Sequence, residues 1–173
     1  MRKAYAVQGG GFDSPVVFKM WKRGPSAELV GGSKFWRIEP DGRTYTIDLV
    51  QGTITEGASA PGDLRVTIAR PAGVSRRDRF DWSLQIVPVD GGILETKDEF
   101  MYRAPLDGYD SAYELRSNPS DATWTYEVER KFFLKARGRY ARINVEVFAL
   151  YREDGVFSIK YALNPTGSPT LQP

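Results

Sequence analysis

The sequence predicts an all-β fold, an antiparallel two-sheet β-sandwich of jelly-roll-like form with roughly ten strands and little helix. Apolar and polar residues alternate with a period of two through most of the chain, as in strands with one buried and one solvated face. The 173 residues include 17 Gly and 11 Pro, which separate the alternating segments. No window of about a dozen residues has the apolar spacing of an amphipathic helix.

The alternating segments are the predicted strands. In the first two thirds of the chain the clearest are residues 44–50, 64–69, 82–89 and 124–129. Trp82 and Trp124 lie on the apolar faces of the last two segments, so core packing is their expected role. Each segment has one apolar and one polar face, which favours antiparallel pairing.

The C-terminal third contains further predicted strands, at residues 132–136, 140–152 and 156–163. Asp154-Gly155 predicts a tight hairpin turn between the last two, because both central residues of a type I′ turn take positive φ. Phe148 and Leu150 interrupt the alternation of the middle strand by placing apolar side chains on its polar face. That strand is therefore expected to be covered on both faces there, or to carry a β-bulge.

The composition excludes several classes of function. There is no His and no Cys, which excludes Ser-His-Asp and Cys-His catalysis, metal sites built on these residues, and disulfides. Lys and Arg total 24 against 22 Asp and Glu, so nucleic acid is not an expected partner. No run approaches the roughly 18 apolar residues of a membrane span, and no membrane association is expected.

Residues 1–163 are predicted to form a single domain. Residues 164–173, rich in Pro, Thr and Ser, are predicted to be an extended tail or linker stub. The basic Met1-Arg2-Lys3 is followed by too few apolar residues for a signal peptide. The chain is expected either to be cytoplasmic or to belong to a longer exported protein, in which case an extracellular location is favoured.

Aromatic residues are the candidate ligand-binding groups, since an exposed ring stacks on the apolar face of a sugar. The predicted contacts are Trp21, Trp36, Tyr102, Tyr109 and Tyr113. The two Trp residues lie among basic residues, where exposure and burial are equally expected. The three Tyr residues lie in or beside residues 105–121, a polar segment predicted to be a long functional loop. The alternative is that these tyrosines only anchor their own loop.

The same segment carries the candidate metal ligands Asp107, Asp110 and Glu114. If the loop curls, their carboxylates could hold calcium, which takes oxygen ligands from irregular loops. The twelve-residue EF-hand pattern is absent, and solvated loop charges are the alternative. No other cofactor is expected.

The leading functional hypothesis is a non-catalytic binding module for carbohydrate, an accessory domain of a larger exported protein, by analogy with sandwich-fold modules of that kind. One alternative is a structural or assembly domain of a surface or multi-chain protein, whose partner is another protein. A further alternative is a small glycan hydrolase or lyase that uses carboxylate or Tyr groups. Catalysis is disfavoured and no catalytic residue is predicted, because no pair of carboxylates shows a matched acid-base spacing.

Overall fold

The computed structural model describes Gly24 and residues 26–173. This part of the chain contains no helix, and its ten strands form two five-stranded antiparallel sheets, so the predicted all-β sandwich is confirmed. The strands are β1 (Val30–Ile38), β2 (Asp41–Asp48), β3 (Thr53–Glu56), β4 (Leu64–Ala69), β5 (Trp82–Pro88), β6 (Gly92–Thr96), β7 (Tyr113–Ser117), β8 (Glu127–Ala136), β9 (Arg139–Tyr151) and β10 (Asp154–Asn164).

The two sheets differ in how the chain builds them. The first sheet has the strand order β1-β10-β9-β8-β6, and the second has the order β3-β2-β4-β5-β7. β8, β9 and β10 follow one another through tight turns, whereas β1 joins β10 from far away in the sequence. The inward side chains of both sheets form one core, in which Ile47, Phe132 and Phe157 are fully buried.

A β-bulge lies in β9 beside its turn to β10. The register shifts between Asp154 and Val156, so that Ala149 and Leu150 of β9 together face the single residue Gly155. Ala149 and Leu150 are both buried in the core. The predicted bulge is therefore observed and accounts for Leu150, whereas Phe148 precedes it and stays on the outer face, half-buried beside Tyr151.

The sequence places the turn between β9 and β10 at Asp154-Gly155, and this prediction is wrong. The turn residues are Arg152 and Glu153, with Arg152 at φ 60°, and Asp154 already begins β10. Gly155 lies opposite the bulge, where a Cβ atom would approach the carbonyl oxygen of Ile38 to 3.3 Å. The glycine thus lies within β10, where its lack of a side chain eases the approach of β1, and it is not part of the turn.

The long loop predicted over residues 105–121 contains a strand that the sequence did not reveal. β7 pairs with β5 at the edge of the second sheet, with Tyr113 opposite Ile86. Tyr113 and Leu115 pack against the core, while the alternate residues face solvent. This strand is only five residues long, too short for its alternation to stand out.

The segment after β10 crosses the outer face of the first sheet. Its backbone bonds to the segment after β6, with the Leu171 amide donating to the Tyr102 carbonyl oxygen at 2.7 Å. Leu171 is fully buried there, in a second small core formed by Met101, Ala104, Phe133, Tyr140 and Leu171. Among the described residues, this tail cluster covers one end of the outer face, and no other segment covers the rest.

Candidate functional site

The open part of the first sheet's outer face contains a groove of about 420 Å³. Strands β1, β10, β9 and β8 form its floor, and the segment between β6 and β7 forms one wall. Its polar lining consists of Ser33, Glu99, Lys131, Arg142, Asn144 and Lys160. Each strand contributes because its outward residues alternate with residues that fill the core.

A row of polar residues crosses the floor of the groove. Lys131 of β8 and Lys160 of β10 both pair with Asn144 of β9, and Ser33 of β1 pairs with Lys160. Neighbouring strands lie about 4.8 Å apart, so these side chains stand next to one another. The register of the sheet therefore fixes the spacing of this polar row.

Within the part of the chain that the structure describes, the cations of the groove form no ion pair with a carboxylate. None of the ion pairs among the described residues includes Lys131, Arg142 or Lys160. The Arg142 guanidinium lies over the ring of Tyr102, with its carbon 5.5 Å from the ring centroid. This contact holds Arg142 against the wall, and the lining of the groove contains three cations and one carboxylate, Glu99.

Asn144 has one satisfied and one unsatisfied side-chain atom. Its Nδ2 donates to Oε1 of Glu129 at 2.8 Å. Its Oδ1 is buried and has no donor within the described part of the chain. A buried acceptor without a donor is costly, so a ligand hydroxyl or a lysine that moves into place would be stabilised here.

Considering residues 26–173 alone, the edge of the groove at β1 is open because small residues follow Val30 in this strand. A Cβ atom at Gly31 would lie 2.8 Å from the carbonyl oxygen of Tyr161, so no side chain fits without moving the strand pair. Gly31, Gly32 and Ser33 are all exposed. A long ligand could therefore pass over this edge.

An aromatic cluster lies on the same outer face, beyond the groove. It consists of Phe35, Phe148 and Tyr151, with the Tyr151 ring centroid 6.3 Å from that of Phe35 and 6.2 Å from that of Phe148. The guanidinium carbons of Arg37 and Arg76 each lie 5.8 Å from the centroid of Tyr151. Phe35 is 56% exposed, a large value for a Phe side chain.

The alternation of β1 decides which aromatic residue faces solvent. Trp36 points inward and stacks on Phe157, with ring centroids 6.5 Å apart and planes 18° apart. It is half-buried against the core, whereas its neighbour Phe35 points outward. Trp21 lies outside the described residues.

The predicted tyrosines have different surroundings. Tyr102 is half-buried in the wall of the groove, under Arg142. The Tyr109 hydroxyl donates to the carbonyl oxygen of Pro105 at 2.9 Å, and burial raises its pKa. The Tyr113 ring meets Phe132 edge-on at 4.8 Å, and burial raises its pKa as well. Tyr109 and Tyr113 thus anchor their segment, and Tyr102 is the one that adjoins the groove.

The predicted metal ligands are not brought together. Asp107 is exposed in a turn, the backbone of Asp110 pairs with Ile93, and Glu114 accepts from Nε2 of Gln85 on the second sheet. The part of the chain that the structure describes contains no group of three or more His, Cys, Asp or Glu side chains that could hold a metal ion.

Sequence reasoning missed the residues that line the groove. The alternation of Arg142, Asn144 and Glu146 marks them as one outward face, but it does not show what lies beside them. Glu129 and Glu146 face each other directly across β8 and β9. Because the two residues are far apart in the chain, the sequence alone does not show that they pair.

No family model matches the chain, and neither a curated protein nor a solved structure shows detectable similarity to it. Across the described ranges there is no helix that is long and apolar enough to cross a membrane. Function must therefore be inferred from the chemistry of the outer face itself.

Proposed function

We propose that this domain is a non-catalytic carbohydrate-binding module whose binding surface is the outer face of the first sheet. The main support is that an open polar groove and an exposed aromatic cluster share this face. Along β1, Phe35 follows the groove residue Ser33 by two positions, or about 7 Å. Along β9, Phe148 lies about 13 Å from Asn144. A chain of several sugar rings spans such distances.

The aromatic cluster would supply the stacking contact. Sugar rings have an apolar face of C–H groups, and an exposed aromatic ring buries it without losing a hydrogen bond. Phe35 presents more of its surface than the half-buried Phe148 and Tyr151, and its ring contacts that of Tyr151 edge-on. We therefore assign the stacking role to Phe35.

The groove would supply the hydrogen bonds. Lys131, Lys160 and Arg142 are donors only, whereas Glu99 and the Oδ1 atom of Asn144 are acceptors. Sugar hydroxyls can donate and accept, so they satisfy both kinds of group. A surface of purely apolar or purely cationic residues would not match such a ligand.

A glycan array and polysaccharide pull-down, each with and without calcium, test this proposal. We expect specific binding that Phe35→Ala weakens about ten-fold while the melting temperature stays unchanged, since an exposed ring adds little to stability. The matched control is Val50→Ala, which truncates an exposed apolar residue beside the second sheet. No binding to any glycan, or equal effects of the two substitutions, would refute the proposal.

A second candidate function rests on Glu129 and Glu146. Cβ atoms of directly opposed residues are about 5 Å apart, close enough for a carboxylate pair to act on a glycosidic bond. The glycans that bind should therefore also be assayed for released reducing ends. Turnover that is abolished by Glu129→Gln or Glu146→Gln would replace the binding module with a hydrolase.

The assembly alternative rests on the position of Phe35. An exposed aromatic residue on a strand at the edge of a sheet is also suited to a protein partner. Size-exclusion chromatography with light scattering tests self-association through this edge. A dimer that Phe35→Ala dissociates would favour assembly over carbohydrate binding.

A further inference from the structure

We propose that the groove selects anionic polysaccharides, whose sugar rings carry carboxylate or sulfate groups. This inference rests on the carbohydrate-binding function proposed above and names the ligand class of the same site. It depends on three observations, which are the unpaired cations, their spacing around Asn144 and the acidic row that borders them.

The charge of the groove favours an anion. Its lining carries the three cations Lys131, Arg142 and Lys160 but one carboxylate, Glu99. Arg130, the neighbour of Lys131 on β8, differs in that it pairs with Glu95 at 3.1 Å. Cations that are gathered in a groove and left unpaired raise the local concentration of anions and form strong hydrogen bonds with them.

The spacing of the cations fits one anionic group at a time. Lys131 and Lys160 lie two strands apart, about 10 Å, with Asn144 between them. An anionic group above Asn144 is within reach of both flexible lysine side chains. Arg142 is two positions away along β9 and offers a planar fork that matches a carboxylate or sulfate.

The unpaired acceptor atom of Asn144 favours the binding of an acidic sugar over that of an anion without hydroxyl groups. Its Oδ1 atom needs a donor, which phosphate diesters and carboxylates do not provide at neutral pH. A sugar ring with an acidic substituent and free hydroxyls provides both the anion and the donor. Because this atom is buried, binding of the ligand requires the side chains that cover it to move aside.

An acidic row limits the positive region on one side. Glu146 of β9 pairs with Glu129 of β8 on one side and with Ser158 of β10 on the other, one row beyond the polar row. Glu129 reaches Asn144 from this side through the bond to Nδ2, so the carboxylates repel an anion there and direct the ligand to the side of the polar row that contains Arg142. In this arrangement the bound polysaccharide passes over Ser33 and contacts Phe35 at the edge of the sheet. A continuous phosphate backbone lying along the strands would be disfavoured.

The experiment compares four probes on the full chain: polygalacturonate, dextran sulfate, neutral galactan and homopolymer RNA. The test variant is Lys131→Gln with Lys160→Gln, and the control is Arg77→Gln with Arg116→Gln, which removes the same charge from exposed positions elsewhere. We expect the anionic polysaccharides to bind at least about ten-fold more tightly than galactan, and the lysine variant alone to lose that difference. Affinity should also fall with added salt.

Other results of these binding measurements would contradict the inference or the proposed function. Equal binding of galactan and polygalacturonate, or equal losses in both double variants, would overturn the inference and leave the carbohydrate-binding module standing. Failure to bind any polysaccharide would overturn the proposed function itself. Tighter binding of RNA with the same lysine dependence would overturn the inference in favour of a nucleic-acid site. Thermal melting of each variant ensures that lost binding is not lost folding.

Discussion

Asp63 and Arg139 join the two sheets through a buried hydrogen-bonded ion pair. Asp63 precedes β4 of the second sheet and is 1% exposed, and its Oδ1 accepts from Nη2 of Arg139 at the start of β9. Its other oxygen accepts from the Leu49 amide at 3.0 Å. Both oxygens of a buried carboxylate are thus satisfied, and each bond links a different part of the chain.

We expect Asp63→Ala to lower the free energy of unfolding by about 3 kcal/mol, because it leaves Arg139 and the Leu49 amide without their partner. The measurement is urea unfolding at neutral pH. The matched control is Asp41→Ala, which breaks the exposed pair with Arg43 and should cost less than about 1 kcal/mol. Similar costs for the two substitutions would mean that burial does not strengthen the Asp63 pair.

Leu171 near the end of the chain should contribute as much as a core residue. It is fully buried in the tail cluster, so Leu171→Ala should destabilise the protein by about 2 kcal/mol or more. Leu106, which is 66% exposed, provides the control, and Leu106→Ala should change stability by less than about 0.5 kcal/mol. If the two variants melted at the same temperature, the tail would not pack in solution as described.

Tyr109 should make stability depend on alkaline pH. Burial raises its pKa above the ordinary value of 10.0, so above about pH 10 the unfolded chain loses the phenol proton before the folded chain does. The contribution is therefore constant below that pH, and stability falls as the pH rises beyond it. Tyr113 and Tyr161, whose pKa values burial also raises, act in the same direction.

Tyr109→Phe separates this titration from the hydrogen bond of the hydroxyl. Loss of the bond to Pro105 should cost about 1 kcal/mol at pH 7. Loss of the ionisable group should make the decline above about pH 10 shallower than in the parent protein. Urea unfolding across this range measures both effects. A decline as steep as that of the parent protein would contradict the assignment to Tyr109.

Phe35 and Trp36 should show opposite phenotypes although they are adjacent. Trp36→Ala removes a half-buried ring that stacks on Phe157, so it should destabilise the domain by about 2 kcal/mol. Phe35→Ala should leave stability unchanged and weaken ligand binding. Calorimetric melting and a binding titration of the two variants together test the inward and outward assignment of β1.

Much of the sandwich could be predicted because the strands of its core alternate clearly. β4 is an example, since Leu64, Val66 and Ile68 fill the core, and Arg65 and Thr67 face outward. The alternation of β1 was not readable, because both of its faces carry glycine, aromatic and charged residues. Nothing in the local pattern indicates whether Phe35 or Trp36 points inward, and only the pairing of Trp36 with Phe157 decides it.

The groove could not be predicted because it depends on pairing between distant parts of the chain. Ser33 and Lys160 are far apart in sequence, and they become neighbours only through the pairing of β1 with β10. The wall likewise depends on the tail, whose composition indicates an extended course but not the burial of Leu171. The local alternation of a strand indicates on which face of the sheet each residue lies. It does not indicate which residues of other strands lie next to it on that face.

The alternation along β9 assigns the residues that stabilise the core and the residues that line the groove to different positions. Ile143 and Val145 are buried in the core, and Asn144 between them faces the groove. Substitutions at every second position can therefore change the groove surface while the hydrophobic residues and the hydrogen-bonded backbone remain as they are. If the groove binds the ligand proposed above, its specificity can be altered on a strand, without a change of loop length or fold.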